Sequence, residues 1–323
     1  MYSIGIDLGG TKIAAGLVDK DYKIVKKKSC PTLAKRNVEE IIKDMCDLCV
    51  SLCSEEGLNI KDIDSIGIAA PGTINEKTGY IEYTNNIDIK NFDLVGCFSK
   101  YTGYDPDRIK IGNDANLAAF GEAVAGAAKG ARNSVMITLG TGVGSGIVID
   151  GKLFTGCWSG GAELGHMVII EGGNQCTCGR KGCFETYCSV TALIKATREK
   201  CIEHPESKLN EITGNNLDNI GGKTAFQAMY AGDIPAKEVI DEYMRHLATG
   251  VANIINIFQP EILCIGGGLS NEGPIIADMI LPIVSSEVYS GDNILKTKIV
   301  MAQLANNAGI IGAAAYSRKQ ELE

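Results

Sequence analysis

The chain opens with apolar positions spaced as in two short strands. They run from Ser3 to Leu8 and from Lys12 to Val18, with the Gly9-Gly10 pair between them. Residues 37 to 53 repeat apolar positions at helical spacing. Further elements are predicted at Ile63 to Ala69 (strand), Ile109 to Ile111 (strand), Ala115 to Ala125 (helix), Ala236 to Phe258 (helix) and Asn306 to Glu323 (helix). Strands that alternate with helices predict an α/β protein.

The long predicted helix carries an apolar stripe that indicates core or a subunit contact. The stripe comprises Val239, Tyr243, Leu247, Val251, Ile254 and Ile255. Cys46, Cys49 and Cys53 also fall at helical spacing in an apolar pattern, which predicts core positions. The stretch from Thr213 to Gly222 is rich in Asn and Gly, so a loop is predicted there.

The opening pattern occurs twice. Ile4 to Asp19 reads IGIDLGGTKIAAGLVD, and Val135 to Asp150 reads VMITLGTGVGSGIVID, at an offset of 131 residues (139 − 8, from Leu139 and Leu8). Two such units at a domain-sized spacing predict duplicated domains rather than a solenoid. The alternative is a chance likeness of two Gly-rich hairpins. A boundary would fall near residues 112 to 130, and the last helix would pack back on the first domain.

Composition excludes several classes of protein. A net charge of −8 over 323 residues argues against a nucleic-acid surface, and the run Lys26 to Lys28 is expected to be a solvated strand edge. No apolar run reaches the roughly 18 residues of a membrane span. The start MYSIGIDLGG has no features of a signal peptide. Twelve scattered Cys fit a reducing, cytoplasmic compartment.

Three Gly-rich turns could wrap phosphate or nucleotide, because glycine lets backbone N–H groups converge on an anion. They are Gly9-Gly10-Thr11-Lys12, Gly140-Thr141-Gly142-Val143-Gly144 and Gly266-Gly267-Gly268. The first two lack the Walker pattern, and no Rossmann fingerprint follows the first strand. Asp7 ends that strand, where a carboxylate can hold Mg²⁺ or cap the turn. Lys12 offers a charge to the same phosphates.

Asn113 and Asp114 lie between a strand end and a helix start. Both residue types are favoured helix N-caps, which is the structural interpretation. The functional interpretation is a general base beside an amide that positions a hydroxyl. Phosphoryl transfer to an alcohol needs such a carboxylate to take the hydroxyl proton. Spacing alone leaves both interpretations open.

A His-Cys cluster stands at zinc-ligand spacing. Cys176, Cys178 and Cys183 form C-x-C-x₄-C, and His166 completes a Cys₃His set. Four protein ligands fill a tetrahedral zinc site, so the metal would be structural and no catalytic zinc water is expected. The alternative is three free thiols in a loop, and Cys188 is expected in the core.

Carboxylates bracket this cluster. Glu163 lies three residues before His166, and Glu185 two residues after Cys183. Fixed carboxylates accept hydrogen bonds from sugar hydroxyls without an added ordering cost, and His166 could ligate zinc through one nitrogen and touch substrate with the other. The alternative for both acids is ordinary surface charge.

Together these residues resemble the ROK family, which groups bacterial sugar kinases with related repressors. Asp7 to Lys12 looks like its first phosphate motif, Leu139 to Gly144 like its second, and Gly266 to Gly268 like its adenosine motif. Glu163-Leu-Gly-His166 and the C-T-C-G-R-K-G-C-F-E run look like its zinc and sugar signature. The likeness covers essentially the whole chain.

The resemblance implies an actin-like ATPase fold of hexokinase type, with two RNase H-like lobes and a central cleft. Residues 1–115 plus 306–323 would form a small N-terminal lobe, and residues 116–305 a large C-terminal lobe that carries the zinc-binding loop. It implies phosphorylation of a hexose by ATP with Mg²⁺, structural Zn²⁺ and a homodimer.

The resemblance also assigns roles to single residues. Asp114 would be the base on the sugar 6-hydroxyl. The sugar site is expected to comprise Gly72, Asn113, Asp114, Glu163, His166 and Glu185. The nucleotide site is expected to comprise Asp7, Gly9, Gly10, Thr11, Lys12, Thr138, Gly140, Thr141, Gly142, Gly266, Gly267 and Gly268.

Glucose is the expected hexose, partly because the run from Glu185 to Leu193 looks like the glucokinase branch. N-acetylmannosamine, N-acetylglucosamine, allose and fructose stay open, as does polyphosphate as donor. A sugar-sensing regulator without turnover is the second hypothesis. The first strand begins at once, which disfavours the repressor branch with its N-terminal helix-turn-helix. An actin-like or chaperone-type ATPase is the third hypothesis, but it has no need of the Cys₃His loop.

Overall fold

The structure is a computed structural model that describes residues 2–84, 87–289, 291 and 296–318. These residues contain thirteen β-strands and ten α-helices. The strands are β1 (Ser3–Leu8), β2 (Lys12–Val18), β3 (Ile24–Pro31), β4 (Ser65–Ala70), β5 (Thr73–Asn75), β6 (Tyr80–Tyr83), β7 (Lys90–Asp93), β8 (Ile109–Asn113), β9 (Ser134–Leu139), β10 (Val143–Ile149), β11 (Lys152–Leu153), β12 (Ile262–Gly266) and β13 (Lys298–Met301). The helices are α1 (Val38–Glu55), α2 (Leu94–Thr102), α3 (Asp114–Ala125), α4 (Glu185–Cys188), α5 (Val190–Glu203), α6 (Lys208–Ile212), α7 (Thr224–Tyr230), α8 (Ile234–Phe258), α9 (Ile275–Glu287) and α10 (Ala308–Arg318).

Two five-stranded sheets share one strand order. The first runs β3-β2-β1-β4-β8 and the second β11-β10-β9-β12-β13. In each sheet the first strand of a Gly-turn hairpin, β1 or β9, occupies the centre. β1 pairs with β2 antiparallel and with β4 parallel. The repeat in the sequence is therefore a repeat in structure. A third sheet, β5-β6-β7, has three strands.

The chain divides into two compact units. The first comprises Met1–Val135, Gly146–Ala162 and Gln303–Glu323, and the second Met136–Ser145 and Glu163–Ala302. The lobe boundaries expected from the sequence, after residue 115 and before residue 306, stay a prediction.

Most elements predicted from the sequence occur within a few residues of their expected bounds. α1 buries Cys46, Cys49 and Cys53 in the core of the first unit, as predicted. The apolar stripe of α8 is buried throughout. The predicted loop from Thr213 to Gly222 contains a short 3₁₀ turn, Leu217–Asn219. Residues 319–323 of the predicted last helix lie outside the described residues. No helix in the ranges given above is long and apolar enough to cross a membrane.

Close backbone packing holds α10 against the first sheet, as the sequence led us to expect. A Cβ at Gly5 of β1 would lie 1.8 Å from the Ile310 carbonyl oxygen, and one at Gly67 of β4 would lie 1.8 Å from that of Ala313. On the helix itself, a Cβ at Gly312 would lie 1.7 Å from the Leu117 oxygen of α3. These glycines are needed because two strands and two helices approach one another without room for a side chain.

We expect Gly67→Ala to lower the free energy of unfolding by about 3 kcal/mol, the upper range for overpacking, because the obstacle is backbone. Urea unfolding measures this change through the midpoint. Gly221→Ala is the control, since a Cβ there has nothing within 4 Å. Equal stability of both variants would show that α10 does not pack this closely.

Candidate active site

The first Gly turn links β1 to β2 and is hydrogen-bonded to Thr32, the residue after β3. The Gly9 N–H donates to the Lys12 oxygen (3.0 Å), and the Thr32 hydroxyl donates to the Gly9 oxygen (2.6 Å). The Thr32 N–H donates to the Thr11 oxygen (2.9 Å). Thr11 and Lys12 are exposed. The turn is thus held by its backbone while two side chains face solvent, where an anion could reach them.

Asp7 lies one residue before the end of β1, beside Gly309 of α10, whose added Cβ would lie 3.2 Å from the carboxyl group. Its side chain forms no hydrogen bond or ion pair with the residues that the structure describes. Desolvation raises its pKa, and the charges of Lys12 and Lys27 only partly oppose this. A half-buried carboxyl group that accepts no hydrogen bond from the described residues suits a cation such as Mg²⁺, so the residue fits the expected role.

Lys27 is a residue that the sequence analysis missed. Lys26 pairs with Glu55 (3.4 Å), and Lys28 bonds to the same carboxylate, so these two lie on the α1 side of β3. Lys27 points to the other face, where it donates to the Asn307 side chain (2.6 Å). Desolvation and the charge of Lys12 lower its pKa. The sequence could have indicated this, because every second residue of a strand shares a face and Lys27 therefore lies on the opposite face from Lys26 and Lys28.

We expect Asp7→Asn to raise the melting temperature of the ligand-free protein at neutral pH and to reduce turnover. The pKa of Asp7 is raised in the folded state, so folding favours its protonated form. The stability that this adds is complete below the unfolded pKa and is lost as the pH rises through the folded one. Asn carries no charge, so the variant does not lose this stability as the pH rises. The melting temperatures of wild type and variant are compared at pH 4 and pH 8. If the wild type became more stable relative to the variant between pH 4 and pH 8, the prediction would be wrong.

The second Gly turn follows β9 in the second unit. Thr138 is the next-to-last residue of β9, the position that Asp7 has in β1. The Gly140 N–H donates to the Gly142 oxygen (3.0 Å). The third Gly motif touches this turn: Gly267 has φ +84°, and a Cβ there would lie 2.5 Å from the Leu139 oxygen. The structure therefore brings the second and third motifs together.

Asn113 is the N-cap of α3, and Asp114 is its first residue. The Asn113 side-chain oxygen accepts from the N–H groups of Ala115 (3.0 Å) and Asn116 (3.2 Å). Its amide nitrogen donates to the Gly72 oxygen (3.1 Å). A carboxylate oxygen of Asp114 accepts from the Ala115 N–H (2.8 Å). Because Asn113 does the capping, the cap and the general base need not be the same side chain.

The four candidate metal ligands converge. One ligand atom from each of His166, Cys176, Cys178 and Cys183 lies within 4.8 Å of all the others. The sulfurs of Cys178 and Cys183 are 3.6 Å apart, and the Cys176 sulfur is 3.7 Å from His166 Nδ1. Zn–S bonds of about 2.3 Å place the sulfurs of a tetrahedral site about 3.8 Å apart. The donor set therefore fits zinc in spacing and in chemistry.

Two glycines shape the loop that carries the cysteines. Gly179 and Gly182 have φ of +91° and +79°, the left-handed conformation that glycine adopts readily. The Gly182 N–H donates to the Asn174 oxygen (2.8 Å), and the Cys176 N–H to the Arg180 oxygen (2.8 Å). Burial raises the pKa of the Cys183 thiol to about 12. The buried Cys188 lies in α4, in the core as expected.

Both bracketing carboxylates lie near the cluster. Glu163 precedes a 3₁₀ turn, Leu164–His166, that is anchored by the Leu164 N–H to the Ser145 hydroxyl (3.0 Å). Desolvation raises the pKa of Glu163; His166 opposes this and the charge of Glu185 adds to it. Glu185 begins α4, and one of its oxygens lies 4.0 Å from the Cys176 sulfur. The two acids and the imidazole thus share one electrostatic environment.

The candidate residues fall into two groups, each within one compact unit. The first unit holds Asp7, Gly9, Gly10, Thr11, Lys12, Gly72, Asn113 and Asp114. The second unit holds Thr138, Gly140, Thr141, Gly142, Glu163, His166, Cys176, Cys178, Cys183, Glu185, Gly266, Gly267 and Gly268.

Known proteins match the chain over its whole length. A sequence model described as ROK family matches residues 3–320. A glucokinase of Thermotoga maritima is 35% identical over 319 residues, which cover 98% of this chain and 97% of that protein. A xylose repressor of Bacillus subtilis is 30% identical over 314 residues, covering 96% of this chain and 75% of the repressor.

A solved structure agrees in fold. The crystal structure of a ROK family glucokinase from Streptomyces griseus, in complex with glucose and AMPPNP, has a TM-score of 0.83 and 33% identity. The match covers 99% of this chain and 100% of that chain. The actin-like ATPase fold predicted from the sequence is therefore confirmed.

Proposed function

The chain belongs to the ROK family, and on that premise we propose that it transfers the γ-phosphoryl group of ATP to the 6-hydroxyl of a hexose, with glucose as the substrate. The observation that carries the proposal is the His-Cys loop. Glu163, His166 and Glu185 lie together beside this loop, where four ligand atoms converge. Full-length similarity to glucokinases supports the same assignment.

The sugar would be bound by acceptors that are already in place. Carboxylates of Glu163 and Glu185 accept hydrogen bonds from sugar hydroxyls, and their charge makes these bonds stronger than neutral ones. Asn113 would add its amide beside Gly72, where the two residues are already hydrogen-bonded (3.1 Å). Zinc would be held by His166, Cys176, Cys178 and Cys183, and when bound it would keep the loop rigid.

Proton transfer would fall to Asp114. A carboxylate oxygen of Asp114 takes the proton of the sugar 6-hydroxyl while the hydroxyl oxygen attacks the γ-phosphorus of ATP. The bond between the γ-phosphorus and the bridging oxygen breaks, and ADP leaves with that oxygen. Backbone N–H groups of the Gly turns and the Lys12 ammonium stabilise the phosphate oxygens. Mg²⁺, when bound, supplies further positive charge, and Asp7 is the carboxylate that would hold it.

A panel of hexoses tests the substrate. ATP consumption is measured with glucose, allose, fructose, N-acetylglucosamine and N-acetylmannosamine, and kcat/KM values are compared. We expect the highest value for glucose with ATP, above that with polyphosphate. A higher value for an N-acetylhexosamine would reassign the substrate and keep the kinase.

A sugar-binding regulator is the second candidate, and the similarity to a xylose repressor favours it. A regulator would bind sugar without consuming ATP. Calorimetry would then detect sugar binding, while the addition of sugar would not raise the rate of ADP formation above the assay background. That pair of results would support the regulator over the kinase.

We propose a homodimer in a reducing cytoplasm. None of the twelve cysteines is in a disulfide, and three of them are the proposed zinc ligands, as a reducing compartment favours. The dimer rests on family resemblance, and light scattering of the purified protein tests it.

A further inference from the structure

We propose that Glu185 is a positioning residue that couples sugar binding to nucleotide binding. It rests on the proposed function, because it takes Glu185 as a sugar ligand and the second Gly turn as a nucleotide ligand. The new element is the link between them: one carboxylate joins the His-Cys cluster to that turn. All of the contacts lie within the second compact unit.

Both oxygens of the Glu185 carboxylate are in contact with the protein. One accepts the backbone N–H of Val143 (2.9 Å), at the end of the second Gly turn. The same oxygen would lie 2.3 Å from a Cβ at Gly142, so it occupies the space of the missing side chain. The other oxygen lies 4.0 Å from the sulfur of Cys176.

The turn depends on one segment of the chain, residues 185–191, for three anchors. The Gly140 oxygen accepts the Val190 N–H (2.8 Å), and the Thr141 oxygen accepts the Thr191 hydroxyl (2.8 Å). Glu185 supplies the third anchor. In the proposed function it is also a sugar ligand, which the other two anchors are not. This segment begins two residues after Cys183. Ordering of residues 185–191 by a bound sugar therefore also orders the second Gly turn.

The sign of the coupling follows from the contacts. A sugar hydroxyl that donates to one oxygen of Glu185 fixes the carboxylate while the other oxygen keeps the Val143 N–H. The turn is then ordered before the nucleotide arrives, so the nucleotide binds more tightly. Linkage requires the nucleotide to tighten sugar binding by the same factor.

The test is direct binding, without turnover. Calorimetry measures the Kd of AMPPNP with Mg²⁺, with and without saturating glucose. For the wild type we expect glucose to lower this Kd by about fivefold or more. Glu185→Ala should weaken AMPPNP binding roughly tenfold without glucose, because a charge-assisted hydrogen bond to the turn is lost, and glucose should no longer change the Kd.

Two variants separate coupling from a merely structural effect. Glu185→Gln keeps an oxygen for the Val143 N–H but loses the charge, so its AMPPNP Kd without glucose should change less than that of Glu185→Ala, and glucose should lower it by a smaller factor than in the wild type. Glu163→Gln removes charge from the other acid, whose side chain forms no hydrogen bond to the turn within the described part of the chain. It should weaken glucose binding, but at saturating glucose the coupling factor should be unchanged. If Glu185→Ala does not fold, the Gln variant still reports the coupling.

The outcomes are distinct. Equal AMPPNP affinities of wild type and Glu185→Ala without glucose, or an intact glucose effect in that variant, would overturn the coupling role. A wild type that binds neither AMPPNP nor glucose would instead contradict the proposed function.

Discussion

Asp114→Asn is expected to lower kcat by roughly 10²–10⁴-fold, the usual contribution of a general base, while the Kd of glucose changes little. Asn has the same shape as Asp, and its oxygen can still accept the Ala115 N–H that Asp114 accepts at 2.8 Å. It cannot take a proton from the 6-hydroxyl. A coupled assay for ADP measures kcat, and calorimetry measures the glucose Kd.

Asp107→Asn is the matched control, because Asp107 is exposed in a 3₁₀ turn before β8. Its kcat should equal that of the wild type. If the Asp114 variant also kept its kcat, the residue would be only the first residue of α3 and the proton would have another acceptor.

Removal of the metal is expected to weaken glucose binding by at least roughly tenfold, the lower range for losing the support of a metal site. The four ligands come from a turn and a loop that carry Glu163, His166 and Glu185, so without metal these groups lose their common anchor. Elemental analysis should find about one zinc per chain. Cys183→Ser should reproduce the loss of metal and of glucose affinity, since this thiol is fully buried in the cluster.

Cys97→Ser is the control, because Cys97 lies in α2 of the first unit and outside the cluster. It should keep its zinc and its glucose Kd. Metal-free wild type with an unchanged melting temperature and glucose Kd would refute a structural zinc.

Local patterns predicted the elements well. β1 and β2 occupy the residues expected from their apolar pattern, and the repeat correctly indicated that β9 and β10 form a second hairpin. The ligand spacing of the Cys₃His set also needed no knowledge of the fold, because three of its members lie within eight residues. These features depend on neighbours in the chain, which the sequence displays.

Apart from the return of the last helix to the first domain, the long-range contacts were not predicted. Glu185 and Val143 are 42 residues apart, and nothing in the sequence indicates that the Glu185 carboxylate holds the second Gly turn. The need for glycine at Gly67 comes from Ala313, which reaches it only through packing of α10. Lys27 could have been found, since alternation along β3 separates it from its two neighbours, which pair with Glu55.

The most direct test of the central claim is to identify the product formed from ATP and glucose. We predict glucose 6-phosphate and ADP in equal amounts by phosphorus NMR, and no phosphorylated product from 6-deoxyglucose, which lacks the acceptor hydroxyl. Phosphorylation of 6-deoxyglucose, or glucose binding without any sugar phosphate, would contradict a hexose 6-kinase.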